Sequence, residues 1–263
     1  MGRLLIALGL VIGLAAPAVA DCAPVDHSHA AWTAILARRA AGGEVDYRGL
    51  KRDDEAALDA YLAMLSGACA AEYARWSEDE KLAFWINAYN AFTVRLILTH
   101  YPVESIRKIG WLPLAAFREA FIPMPGLKGG NVSLNDIEHG TLRSAFREPR
   151  IHFALVCAAR SCPALRAEAY RGADLDRQLD EQGRAFLGDP AKNRLDTAGK
   201  VLYLSSIFDW FRDDFEASSG SLWAFVAPYL GVAAGGPAPH IEFLDYDWRL
   251  NDRTAPQPKE EKP

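Results

Sequence analysis

Cys157 and Cys162 flank the short run "AARS" and are the residues best suited to covalent chemistry. A thiol becomes a strong nucleophile once it loses its proton, and a helix N-terminus or a nearby cation makes that loss easier. Pro163 suits the first turn of a helix, so Cys162 is expected near an N-cap with the charge of Arg160 close by. Cys157 is expected at the end of a buried strand, "RIHFALVC", where it is reactive if the strand opens into a cleft. The chain has four cysteines, and three fates stay open for this pair: a nucleophile, a structural disulfide, or inert buried thiols. A bridge across four intervening residues is feasible if a turn brings the Cα atoms within about 7 Å. The spacing is not the redox C-x-x-C, and no second ligand pair follows that would make a zinc site.

A thiol nucleophile needs a base. His152 lies five residues before Cys157, and the two-residue period of a strand puts them on opposite faces unless a bulge intervenes. His139, in "DIEHGTLRSAF", is therefore the better candidate, although Glu138 beside it points elsewhere around that helix and another acid has to orient it. Either imidazole is otherwise a satisfied structural group. Arg150 either clamps a carboxylate or pairs with Asp247. Asp245 and Asp247 share a strand face, but two acids are too few to hold a hard cation, and no metal site is expected. Enzymes of the papain-like and transglutaminase-like kinds are similar in drawing a Cys, a His and an Asn or Asp from distant segments.

These groups have to be positioned by a mostly helical frame. "HAAWTAILARRAA" and "DDEAALDAYLAML" read as amphipathic helices. Ser77 and Glu80 form a capping box for a third, which carries "LAFWINAYNAFTVRLIL" to about Leu98, with Pro102 beyond it. Asn87 and Asn90 fall on one stripe of this apolar helix, and buried amides need partners. They either hold backbone from irregular segments or line a pocket. Residues 103–134, with Pro113, Pro123, Pro125 and adjacent glycines at 129 and 130, read as irregular structure where a site loop could lie. Asn135 and Glu138 give a weaker cap for the next helix. Late strands at about 151–157, 193–204 and 240–247, the second a hairpin turning near Ala198-Gly199, predict a small, mostly antiparallel sheet. Further helices are expected around 174–187, at "SSIFDWFRDDF" and at "SLWAFVAPYL". The expected class is α+β, predominantly helical, in one domain.

"LAFWINAYNA", "IEHGTLR", "RIHFALVCAARSCPAL" and "YDWRLN", in that order, resemble the family catalogued as domain of unknown function 547, over about residues 45–251. The resemblance implies a motif set, and no agreed reaction comes with it. It draws attention to Asn87, Asn90, Glu138, His139, Arg150, His152, Cys157, Cys162, Asp247 and Asn251.

Residues 1–20 combine Arg3, an apolar run and Ala18-Val19-Ala20, the pattern of a signal peptide. Cleavage near Ala20 predicts an exported protein, periplasmic or secreted, with a globular region over 21–251 and a Pro-rich charged tail over 252–263. The later chain contains no apolar run of the roughly 18 residues that a membrane span requires. A formal charge of −5 offers no electrostatic reason to bind nucleic acid. The sequence has no Gly-rich phosphate loop, dinucleotide fingerprint, G-x-S-x-G elbow or H-E-x-x-H helix, so no cofactor is expected. The expected partner is a small molecule or a peptide. Two functions remain: a thiol-dependent hydrolase or acyltransferase using Cys157 or Cys162, His139 and the Asn87 and Asn90 amides, or a non-enzymatic binding or scaffolding domain whose polar motifs and disulfides are structural.

Overall fold

The computed structural model describes residues 22, 24–112, 114–198, 200–233, 235 and 237–254. At its centre is the helix Glu78–His100, whose residues from Leu82 to Val94 are all buried. A helix with apolar residues nearly all round can sit only inside a core. Its start is the capping box the spacing predicts: the Glu80 N–H donates to Ser77 Oγ at 3.1 Å, and the Ser77 N–H donates to the Glu80 carboxylate at 2.8 Å. Helices Ala30–Arg39 and Glu55–Ser66 cover one side, with Trp32 stacked on Tyr61 at 5.8 Å. Between them, Gly42 and Gly43 both have positive φ, which glycine adopts without a Cβ penalty. They turn the chain between the paired segments Ala40–Ala41 and Glu44–Val45. A disulfide joins Cys22 to Cys69.

A second core, built around Phe153, Phe186, Phe208, Phe215 and Phe225, lies against a three-stranded sheet. Arg194–Asp196 pairs antiparallel with Val201–Ser205, which pairs parallel with His240–Leu244. The chain is thus predominantly helical α+β. No described helix is long and apolar enough to cross a membrane. Residues 1–20, Gly199 of the expected turn and residues 255–263 of the expected tail lie outside the described residues. Asp252 is buried and accepts from the Tyr101 hydroxyl at 2.7 Å, so the folded chain continues past residue 251.

Several elements depart from the sequence expectation. The segment expected as a strand at 151–157 is a helical turn, Ile151–Ala154, followed by extended chain. A short buried apolar run has no period to tell the two apart. Its backbone is matched by side-chain amides rather than a neighbouring strand. No helix follows Pro163; the chain stays irregular until Gly172–Asp174 and the helix Leu175–Leu187. The cap near 135 is Ser133 with Asp136, not Asn135 with Glu138. "SSIFDWFRDDF" breaks at Phe211 into Ile207–Trp210 and Arg212–Ser219, and the last strand stops at Leu244. Residues 103–134 contain a 3-10 turn, Ile106–Lys108, a helical turn, Ala115–Arg118, and a hairpin, Ile122–Met124 with Gly130–Val132.

Candidate functional site

Asn87 and Asn90 each grip the backbone of another segment with both ends of the amide. Asn90 Nδ2 donates to the Ala154 carbonyl at 2.9 Å, and its Oδ1 accepts the Val156 N–H at 2.9 Å. Asn87 makes the same pair with Tyr170, at 2.7 and 3.0 Å. Gln182 adds a donor to the Phe153 and Ala164 carbonyls. Beyond Val156 the chain turns sharply, with Ala158 at φ 58°. The turn is laced to the C-terminal motif: the Asn251 N–H donates to the Ala158 carbonyl, the Arg160 N–H to the Arg249 carbonyl, and the Asp247 N–H to Ser161 Oγ.

This turn brings Cys157 and Cys162 together, their sulfurs 2.6 Å apart with no disulfide between them. The Cys157 N–H points at Cys162 Sγ from 2.7 Å, and the Tyr246 hydroxyl is 3.1 Å from Cys157 Sγ. Burial opposes a thiolate at Cys162, but the Cys157 thiol, the Cys157 N–H, the Tyr246 hydroxyl and the Ala159 N–H all favour one, and its pKa ends below that of an ordinary thiol. Burial and its neighbour Cys162 push Cys157 up. The pair therefore holds its negative charge at Cys162. The stabilising dipole is a set of converging donors, not the helix N-terminus expected after Pro163.

Both sulfurs line a cavity of about 580 Å³ shared with Glu138, His139 and His152. The expectation that His152 faces away from Cys157 fails because 151–154 is helical, so the two-residue period does not apply. His152 Nε2 is 2.7 Å from Asp214 Oδ2. Asp214 also receives both Arg143 Nε and Nη2, at 2.6 and 2.8 Å, and these bonds, His152 foremost, hold its carboxyl well below the usual range. An ionised acid can only accept, so His152 Nε2 carries the proton. Burial, outweighing Asp214, lowers the His152 pKa, which leaves a neutral ring with its lone pair at Nδ1. Arg143 Nη1 lies 2.9 Å from His139 Nδ1, and a guanidinium donates only, so neutral His139 has its proton on Nε2. Burial, then Arg143, lowers its pKa too. Glu138, in the π-helical turn Glu138–Leu142, faces the same cavity as His139 rather than elsewhere. Burial raises its carboxyl to about 7 even though the Tyr89 hydroxyl donates to it at 3.1 Å. Among the described residues, no hydrogen bond joins either thiol to an imidazole.

The other sequence candidates lie elsewhere. Arg150 pairs with Glu148 and Asp176, not with Asp247, which is clasped by Arg249. Asn251 accepts from the Tyr47 hydroxyl at 2.9 Å and donates to the Gly43 carbonyl. Sequence reasoning missed Asp214, and it missed Tyr246, Tyr89 and Arg107, which line the same cavity. Asp214 sits in "RDDF", at the end of a run expected as one helix, where nothing distinguishes it from other surface acids, whereas Tyr246 stood inside the conspicuous "YDWRLN" and could have been singled out. Comparison with curated proteins and with solved structures returns no match. A family model does match, over residues 73–187, a stretch that runs from just before the central helix through Glu138, His139, His152 and both thiols and stops short of Asp214 and Tyr246. The family is described as "Protein of unknown function, DUF547", and this stretch of the chain is similar to it.

Proposed function

We propose that the protein is a thiol-dependent hydrolase or acyltransferase, with Cys162 as nucleophile, His152 oriented by Asp214 as general base, and Glu138 as general acid. The observation that carries this reading is the convergence on one cavity of a thiolate-favouring cysteine pair, two neutral imidazoles and a carboxyl with a pKa of about 7. Groups poised near neutral pH are those best able to move protons in catalysis. Cys162 Sγ attacks the substrate carbonyl, forming an S–C bond, and the carbonyl electrons move to oxygen. As they return, the bond to the leaving group breaks, and that group takes the Glu138 proton. The His152 Nδ1 lone pair then removes a proton from water, or from an acceptor hydroxyl or amine, which attacks the thioester and releases Cys162; His152 gives this proton up to solvent and Glu138 takes one back, which restores both groups. His139 Nε2–H is a donor available to the developing oxyanion.

The test is turnover of a short acyl thioester or an activated acetate ester by the wild type and by Cys162→Ser and Cys157→Ser. Cys162→Ser is expected to lose on the order of 100-fold or more, and Cys157→Ser less, since its backbone N–H remains. Unchanged turnover in both variants would eliminate the mechanism. The binding or scaffolding reading draws support from Asn87 and Asn90, whose amides are wholly engaged with backbone. It predicts an unlabelled native protein under iodoacetamide.

A further inference from the structure

The cavity around the thiols is walled on one side by rings and aliphatic groups and on its rim by cations. Trp210, Tyr246 and Trp248 pack against one another with centroids 4.7–5.8 Å apart. Tyr246 stands at the thiols, and the Arg107 guanidinium lies over the Trp248 ring at 5.3 Å. The aromatic wall thus leads from the reacting sulfurs to a positive charge. Leu114, Phe117 and Ile207 extend the apolar lining, and Arg118, one residue beyond Phe117, adds a second cation. Three residues before Leu114, Trp111 is fully exposed and Leu112 is 73% exposed, so large apolar side chains stand in water within three residues of the lining. A large side chain left in water next to an apolar cavity marks a surface that meets an apolar ligand.

The charges select among apolar ligands. Neither Arg107 nor Arg118 has a carboxylate partner among the described residues, and Glu138 is the one acid that lines the cavity. Arg107, Tyr246 and Trp248 also line a neighbouring depression with Glu104, Lys108 and an Asp247 already clasped by Arg249, while Glu119 follows Arg118 outside the lining. Guanidinium groups are strong, planar hydrogen-bond donors to carboxylates and phosphates. A cationic ligand stacking on Trp248 would have to displace Arg107 from a place it already fills. From this arrangement we infer that the site takes an anionic amphiphile, its apolar chain along the Trp210–Tyr246–Trp248 wall and its anionic group at Arg107 and Arg118. This names the substrate class for the thiol chemistry proposed above and rests on that reading for any turnover, but binding itself needs no nucleophile.

Binding is measured by tryptophan fluorescence and calorimetry on the full chain and on Cys162→Ser, with octanoate, dodecanoate and dodecyltrimethylammonium, each kept below its micellar concentration. Dodecanoate is expected to bind at least tenfold more tightly than octanoate, because each additional buried methylene contributes. It should also bind at least tenfold more tightly than the ammonium amphiphile. The double variant Arg107→Gln/Arg118→Gln should erase the preference for the anion while keeping the dependence on chain length. Absence of dodecanoate binding, or equal binding of the two head groups, overturns the inference. Turnover of an acetyl thioester without dodecanoate binding would leave the thiol chemistry standing and reject this substrate class. Dodecanoate binding without turnover would keep the ligand class and reject the chemistry.

Discussion

Glu138 and Cys162 carry opposite electrostatic problems, and each makes a prediction at the residue scale. Burial raises the Glu138 carboxyl from 4.5 to about 7. Between those values the folded protein holds a proton that the unfolded chain has lost, so stability falls as pH rises through that window and levels off above it. Glu138→Gln keeps an acceptor for Tyr89 and removes the titration. Urea midpoints of wild type and variant, measured from pH 4 to 9, should therefore show a wild-type decline that the variant lacks. Turnover should fall in the same variant and lose its alkaline limb near pH 7, because the group that titrates there and protonates the leaving group has been removed. Cys162 depends on donors instead. Tyr246→Phe deletes one of them, and the pH dependence of iodoacetamide alkylation at Cys162 should move upward. An unmoved profile would mean that Tyr246 does not stabilise the thiolate. The asparagines have no titration to report, and their meaning lies in the segments they hold.

The element scale explains why Asn87 and Asn90 interrupt an apolar helix. Each replaces a missing strand: a segment that enters the core without a β partner still has N–H and C=O groups to satisfy, and a helix-borne amide offers one donor and one acceptor at the right separation. Asn90→Ala strands the Ala154 carbonyl and the Val156 N–H, and Asn87→Ala strands both backbone groups of Tyr170. Each substitution is expected to cost roughly 2–5 kcal/mol by urea denaturation. Only Asn90→Ala should also disturb the thiols, since its segment leads directly into Cys157. The same docking sets Gly172 against the start of the central helix, where an added Cβ would meet the Glu80 nitrogen at 2.9 Å. Gly172→Ala should cost about 1–3 kcal/mol, visible as a lowered Tm without change in thiol reactivity. The periodicity of long helices made the central helix and its cap legible in the sequence. The short run 151–157 was misread as a strand because the distant amides of Asn90 and Gln182, and not a ladder, satisfy its backbone.

Across the whole molecule, the two cysteine pairs behave differently. Cys22 and Cys69 are bridged, while Cys157 and Cys162 are free thiols in contact. Alkylation with and without prior reduction, read by mass spectrometry of the protein, should find free thiols at 157 and 162 only. Closing a loop across a separation of 47 residues is expected to stabilise the fold by about 3–4 kcal/mol, so Cys69→Ser should lower the urea midpoint accordingly while the thiols stay reactive. By itself, the sequence determined the helical α+β class, the capped central helix and the likeness to one family over residues 73–187, because periodicity, caps and long motifs are local patterns. It also marked Glu138, His139, His152, Cys157 and Cys162 as residues of interest. Only the tertiary structure decided that these five share one cavity, that Asp214 from a distant helix orients His152, and that Arg107 closes an aromatic wall. Those relations depend on turns whose geometry is set by contacts across the chain, where the spacing of residues in sequence carries no information about direction.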